Sequence, residues 1–243
     1  MASAFLWGFL GGASLILGGL LALWKPLDRR LLGLVMAFGA GVLISAVAYD
    51  LVGEARDTSA GDDGIALGLA CGALVFYLGD TLIDRMGGAD RKRSDGSQAS
   101  GSALAIVLGI VLDGIPESAT LGIGLLSGEG VGVALVAAIF ISNIPEAIAA
   151  TAGLSASGWR RTRLLGLWTL VALVSGLAAL AGYVLLDGAS PATIAFVLAF
   201  AAGAILTMLA DTMMPEAFEN GGKVVGLATT LGFGLAFALT GLD

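Results

Sequence analysis

Residues 111–122 read VLDGIPESATLG and residues 140–151 read FISNIPEAIAAT. In each, a hydrophobic-Pro-Glu triplet interrupts an otherwise apolar stretch: Ile115-Pro116-Glu117 in the first and Ile144-Pro145-Glu146 in the second. A third triplet, Met214-Pro215-Glu216, lies within ADTMMPEAFE at 210–219. Proline inside a helix removes one backbone hydrogen bond and pushes aside the carbonyl four residues earlier, here those of Leu112 and Ile141. In lipid such freed groups survive only when buried in protein or facing a polar cavity. A charged side chain near the bilayer centre costs about 2.5–3.5 kcal/mol on insertion scales, so acids there mark a site or a pathway. Asp113 and Glu117, four residues apart, share one helical face, as do Ser142, Asn143 and Glu146. A kinked helix that carries a carboxylate beside a freed carbonyl offers a cluster of oxygen ligands.

The sequence around these segments is that of a membrane protein. Of 243 residues, 57% are hydrophobic and only 13% charged, whereas an ordinary soluble domain is nearer a quarter charged. Thirty-eight glycines against five prolines, spread through the apolar stretches, suit close helix packing in lipid. A spanning helix needs about 20 mostly apolar residues, and the spacing predicts eight, over 3–24, 32–54, 64–83, 102–126, 130–153, 163–187, 191–213 and 223–241. The first lacks a preceding Lys or Arg and is too long for the apolar part of a signal peptide, so it counts as a helix. The chain is expected to form one transmembrane domain over 1–243, multi-pass in a cell membrane.

Orientation follows from the bases, since short loops rich in Lys and Arg stay cytoplasmic. Eleven of the twelve bases fall in alternate loops, and only Arg56 lies on the other side. Both termini are then extracytoplasmic, and the break over 84–101, with Arg91-Lys92-Arg93, is a cytoplasmic loop. The opposite loop after span two holds Glu54, Asp57, Asp62 and Asp63, an acidic mouth able to draw in cations or simply a solvated loop. A net charge of -7 offers no basic face for nucleic acid. The single cysteine, Cys71, can form no internal disulfide, and the absence of histidine means that any metal site is built without imidazole.

Helix rise gives depth. Asp113 falls about 17 Å and Glu117 about 22 Å from the inner end of span four, and Glu146 about 24 Å from the outer end of span five. With both helices about 37 Å long, Glu146 comes level with Asp113 and within reach of Glu117 near the midplane. Two antiparallel spans sharing a motif also fit the inverted repeats of transporters. Asp50 and Glu54, four apart on the outer half of span two, form a candidate entrance relay. Asp211 and Glu216 lie toward the inner end of span seven, and Asp80 near the end of span three.

At these residues the sequence resembles the ZIP family of divalent-metal transporters, over nearly the whole chain. The resemblance rests on the paired Pro-Glu motifs, on MAFGAGVLISAVAYDLVGEA in span two and on the third Pro-Glu in span seven. It implies an all-α membrane fold of eight helices, a bundle with inverted repeats and both termini outside, and it implies no enzyme. The family's span four typically reads His-Asn-x-Pro-Glu, which lays its histidine on Asp113, its asparagine on Gly114 and its glutamate on Glu117. Its span five carries a polar pair before x-Pro-Glu, here Ser142 and Asn143 before Glu146. The implied first metal site is Asp113, Glu117, Ser142 and Glu146. The second would use Gly114, Asn143, Glu146 and a glutamate of span six, but Gly114 has no side chain and Ala179 stands at the expected glutamate. A single-site pathway is therefore expected, with Glu146 as the essential ligand.

Carboxylates and a hydroxyl in place of histidine suit harder ions such as Mn(II), Mg(II) or Fe(II). Zinc also binds carboxylate oxygen and leads by resemblance. The expected action is transport of such an ion into the cytoplasm, one helical bundle rocking against another around the midplane site. Expected partners are the bilayer and divalent metal ions, with a homodimer left open. Two other readings compete. One is a metal-binding or sensing relative that has lost transport. The other is an intramembrane aspartyl protease, prompted by Tyr49-Asp50 and Leu78-Gly79-Asp80, whose depths set the two acids apart.

Overall fold

A computed structural model describes residues 1–25, 28–59, 63–89, 103–127 and 131–240, and every regular element among them is helical. The long helices are α1 (Ala2–Trp24), α2 (Arg29–Ala46), α4 (Asp63–Ile83), α5 (Ala103–Gly124), α6 (Val133–Ala156), α7 (Arg161–Leu186), α8 (Pro191–Met208) and α10 (Val225–Thr240). Two short ones, α3 (Val52–Thr58) and α9 (Met214–Gly221), continue α2 and α8 across single π turns at Val47–Leu51 and Leu209–Met213. Local chemistry starts them: the Asp28 carboxylate accepts from the Leu31 amide at the head of α2, and Ser190 caps α8 with Pro191 at its first turn. Helices α5 and α6 run through Pro116 and Pro145 without a break. The expected cytoplasmic loop falls mostly outside the described residues, as does Asp62.

Among the described residues, seven continuous helical stretches are long and apolar enough to cross a membrane. The seventh, Pro191–Thr240, runs 50 residues, about 75 Å at the helical rise against a hydrocarbon core of about 30 Å. It is not straight. Gly222 stands at φ 66 with ψ −155, a backbone that L side chains rarely adopt, and separates α9 from α10.

Glycine contacts fix the direction of each packed pair. Along α1, Gly8, Gly12 and Gly19 meet Ala179, Ala172 and Trp168 of α7 in descending order, so these helices are antiparallel. Gly11 meets Ile139 and Gly18 meets Ala147, so α1 and α6 are parallel. Gly114 faces Ser175 and Gly122 faces Tyr183, which makes α5 parallel to α7. Similarly α4 parallels α8, with Gly68 at Phe196 and Gly72 at Phe200. Helix α10 parallels α2, with Gly41 at Thr229 and the Thr240 hydroxyl donating to Asp50 Oδ1 at 3.4 Å. Helix α9 opposes α2, with Gly33 at Ala217 and Gly39 at Met213.

Two bundles result. Helices α1, α5, α6 and α7 pack as one, and α2, α4, α8, α9 and α10 as the other, joined where α2 meets α6 and α5 meets α8. Inside each bundle many of the glycine contacts are to a neighbour's backbone: a Cβ on Gly12 would lie 2.8 Å from Ala172 Cα, and one on Gly18 2.5 Å from the Ile144 carbonyl. Outward faces stay apolar, as at Leu67, Leu74, Val75, Leu78 and Leu82 of α4, which suits contact with lipid.

Candidate metal centre

Asp113 and Glu117 on α5 are 3% and 2% exposed, and Ser142 and Asn143 on α6 are buried as well. Glu146 is partly buried. Gly11 of α1 provides a common level for the two helices. A Cβ on it would touch Leu121 Cδ1 of α5 at 3.2 Å and Ile139 Cγ2 of α6 at 3.4 Å. Since α6 parallels α1, and α5 parallels the α7 that opposes α1, α5 and α6 run antiparallel. Counting four residues from that level brings Glu117 opposite Asn143, and eight brings Asp113 opposite Ala147, beside Glu146. Leu121, Glu117 and Asp113 share one face, as do Ile139, Ser142, Asn143 and Glu146. The faces that meet α1 are thus the faces that carry the acids.

Local hydrogen bonds hold this layer. The Asn143 side-chain amide donates to the Gly11 carbonyl across 3.2 Å, tying α6 to α1 at the shared level. The Ser14 hydroxyl donates to the same carbonyl. The Ser142 hydroxyl donates to the Ile139 carbonyl at 3.1 Å, and the Thr120 hydroxyl to the Glu117 carbonyl at 2.7 Å. Among the described residues no three carboxylate or thiolate side chains stand close enough to hold a metal ion. The two helices bring their acids to matched depths without drawing them around one point.

The remaining candidates lie on the second bundle. Asp50 is within the π turn that follows α2, and Asp211 within the π turn that follows α8. Glu54 is partly buried on α3, Asp211 is exposed, and Glu216 is buried on α9, next to the Ala217 that packs on Gly33. Asp80 is buried on α4. A π turn carries one extra residue and frequently marks a functional segment. The second is explained by Pro215, whose missing amide leaves the carbonyl of Asp211 without its helical donor. The first has no proline near it and left no signal in the sequence.

Ser175 is the residue that sequence reading missed. Ala179, the position matched to the family's span-six glutamate, points at α1, where a Cβ on Gly8 would lie 2.5 Å from its own Cβ. The α7 side chain opposite Gly114 is instead the buried Ser175, with Oγ 4.0 Å from a Cβ built there. A lone hydroxyl in LVSGLAALAGY was the available signal.

No family model matches the chain. Named relatives do. The zinc transporter ZupT of Salmonella heidelberg (strain SL476) is 32% identical over 224 residues, covering 86% of this chain and 84% of the relative. ZupT of Salmonella newport (strain SL254) matches to the same extent. A protein of Arabidopsis thaliana named "Putative zinc transporter At3g08650" is 26% identical over 208 residues, 84% of this chain but 33% of the relative, so the chain spans a third of that protein's length. These relatives are named as transporters rather than as enzymes. With the glycine-packed helices and the paired Pro-Glu segments of α5 and α6, the conclusion is that the chain belongs to the ZIP family of divalent-metal transporters.

Proposed function

We propose that this protein carries a divalent cation, zinc foremost, across the cell membrane into the cytoplasm through a site formed by Asp113, Glu117, Ser142 and Glu146. The observation that carries the proposal is the matched depth of the buried acids of α5 and the polar face of α6 on either side of Gly11. Glu146 is the central ligand. A dehydrated divalent ion needs several oxygen ligands at once, and the pull of the ion closes the carboxylates around it. With no histidine in the chain, Mn(II), Fe(II) and Mg(II) are further cargoes of the same oxygen set.

The chain crosses the membrane eight times. Support comes from the helix directions, which within each bundle are those that eight consecutive crossings require, with Gly222 dividing the 50-residue stretch into two passes. The distribution of bases puts both termini outside. Asp50 and Glu54 then lie on the entry side, and Asp211 and Glu216 toward the exit. Transport proceeds by rocking of one bundle against the other, for which the backbone-tight glycine seams within each bundle provide the rigid parts. Uptake of radiolabelled zinc and manganese by cells expressing the native chain or Glu146→Ala tests the site. The native chain accumulates both ions and the variant neither, and equal uptake by the two would sink the assignment.

A further inference from the structure

The corner between α6 and α7 carries a group of side chains that the transport site does not use. Gly158, at φ 85, turns the chain after α6, and Trp159 follows with its ring packed on the core formed by Leu154, Leu164 and Trp168. Arg160, Arg161 and Arg163 come next, all exposed. The Arg163 guanidinium carbon lies 3.7 Å from the centre of the Trp159 ring. None of the three arginines forms an ion pair with a described carboxylate. Three positive charges within four residues are held at the end of two membrane-spanning helices, with no counterion among the described residues.

That placement is specific in its chemistry. Stacking on an indole fixes the plane of a guanidinium through the ring's electron density, and it consumes none of the five N–H donors. Arg163 is therefore oriented and still able to donate. A guanidinium fork matches two oxygens of a phosphate, which a lysine ammonium does not. Tryptophan prefers the headgroup depth of a bilayer, where its ring is half apolar and half wet. Basic side chains at that depth attract anionic lipid.

We infer that Trp159, Arg160, Arg161 and Arg163 form a docking site for the phosphate headgroup of an anionic phospholipid in the adjacent leaflet. The charge complementarity is one-sided: no described carboxylate pairs with the three arginines, and the anionic headgroups of the bilayer are suited to do so. The site rests on the membrane-spanning character of α6 and α7 and not on the identity of the transported ion, so it stands or falls independently of metal uptake.

The test is lipid retention by the purified chain, read by native mass spectrometry from micelles doped with equal phosphatidylglycerol and phosphatidylcholine. The native chain should retain phosphatidylglycerol selectively. Arg160→Gln/Arg161→Gln/Arg163→Gln should lose that selectivity, each arginine removed weakening retention roughly five-fold. The charge-matched control Lys25→Gln/Arg29→Gln/Arg30→Gln should keep it. Arg163→Lys, which preserves charge and fold, should weaken retention several-fold through loss of the stacked fork. Equal retention of the two lipids, equal loss in the two triple variants, or an unchanged Arg163→Lys would overturn the proposal. So would displacement of the lipid by millimolar inorganic phosphate, which would identify a site for the free anion instead.

Discussion

Asp113 stands, by the resemblance of its motif, where the family typically carries histidine, and it is buried on the face of α5 that leads to Gly11. Imidazole nitrogen favours zinc over manganese, and carboxylate oxygen narrows that difference. Asp113→His should therefore shift competition toward zinc, measured as the zinc-to-manganese ratio when both labelled ions are offered together. Asn143 has a different part: its amide hydrogen is spent on the Gly11 carbonyl. Asn143→Ala should cost about 1 kcal/mol, the net value of one such bond, read as a lowered Tm in detergent. The acids themselves were legible in the sequence, because a buried carboxylate in lipid has few bland explanations. The partner of Asn143 was not, since Gly11 lies 132 residues away and nothing local marks it.

Among the elements, helix identity was legible and helix contact was not. Hydropathy alone located the long helices to within a few residues, but it could not tell which glycines meet a neighbour. Gly12 and Gly166 look alike in sequence, each in an apolar run. A Cβ on Gly12 would strike the backbone of α7, whereas Gly166 has nothing within 4 Å. Gly12→Val should destabilise by about 1–3 kcal/mol through overpacking, and Gly166→Ala should stabilise by about 0.5–1 kcal/mol through helix propensity. Thermal unfolding of the two purified variants beside the native chain checks the opposite signs. The π turns were illegible for a related reason. Hydropathy is insensitive to one extra residue in a turn, and only the second has a proline to account for it.

On the scale of the whole molecule, the seam between the bundles passes through the candidate site. Gly39 of α2 faces Ser142 of α6, with a built Cβ 3.6 Å from that of the serine, a separation a disulfide can bridge. In a chain with Cys71→Ser, the pair Gly39→Cys and Ser142→Cys should arrest metal uptake on oxidation and regain its reduced-state level with dithiothreitol. Uptake unaffected by complete oxidation would mean that this seam does not move.

The pairing of helices also sets the order in which the protein can be assembled during synthesis. Many of the tightest glycine seams join elements far apart in the chain: α1 with α7, α2 with α10, α4 with α8. A helix that enters the bilayer early must wait for its partner to be made, its small-residue face meanwhile turned to lipid or to the insertion machinery. The first bundle can close once α7 has emerged, while α2 must wait until α10 follows it. The bundle bearing Asp113 and Glu146 is then complete while its counterpart is still open, so ribosome-bound chains halted just after residue 186 has cleared the exit tunnel should already resist protease across α1 and α5 to α7 and leave α2 and α4 susceptible.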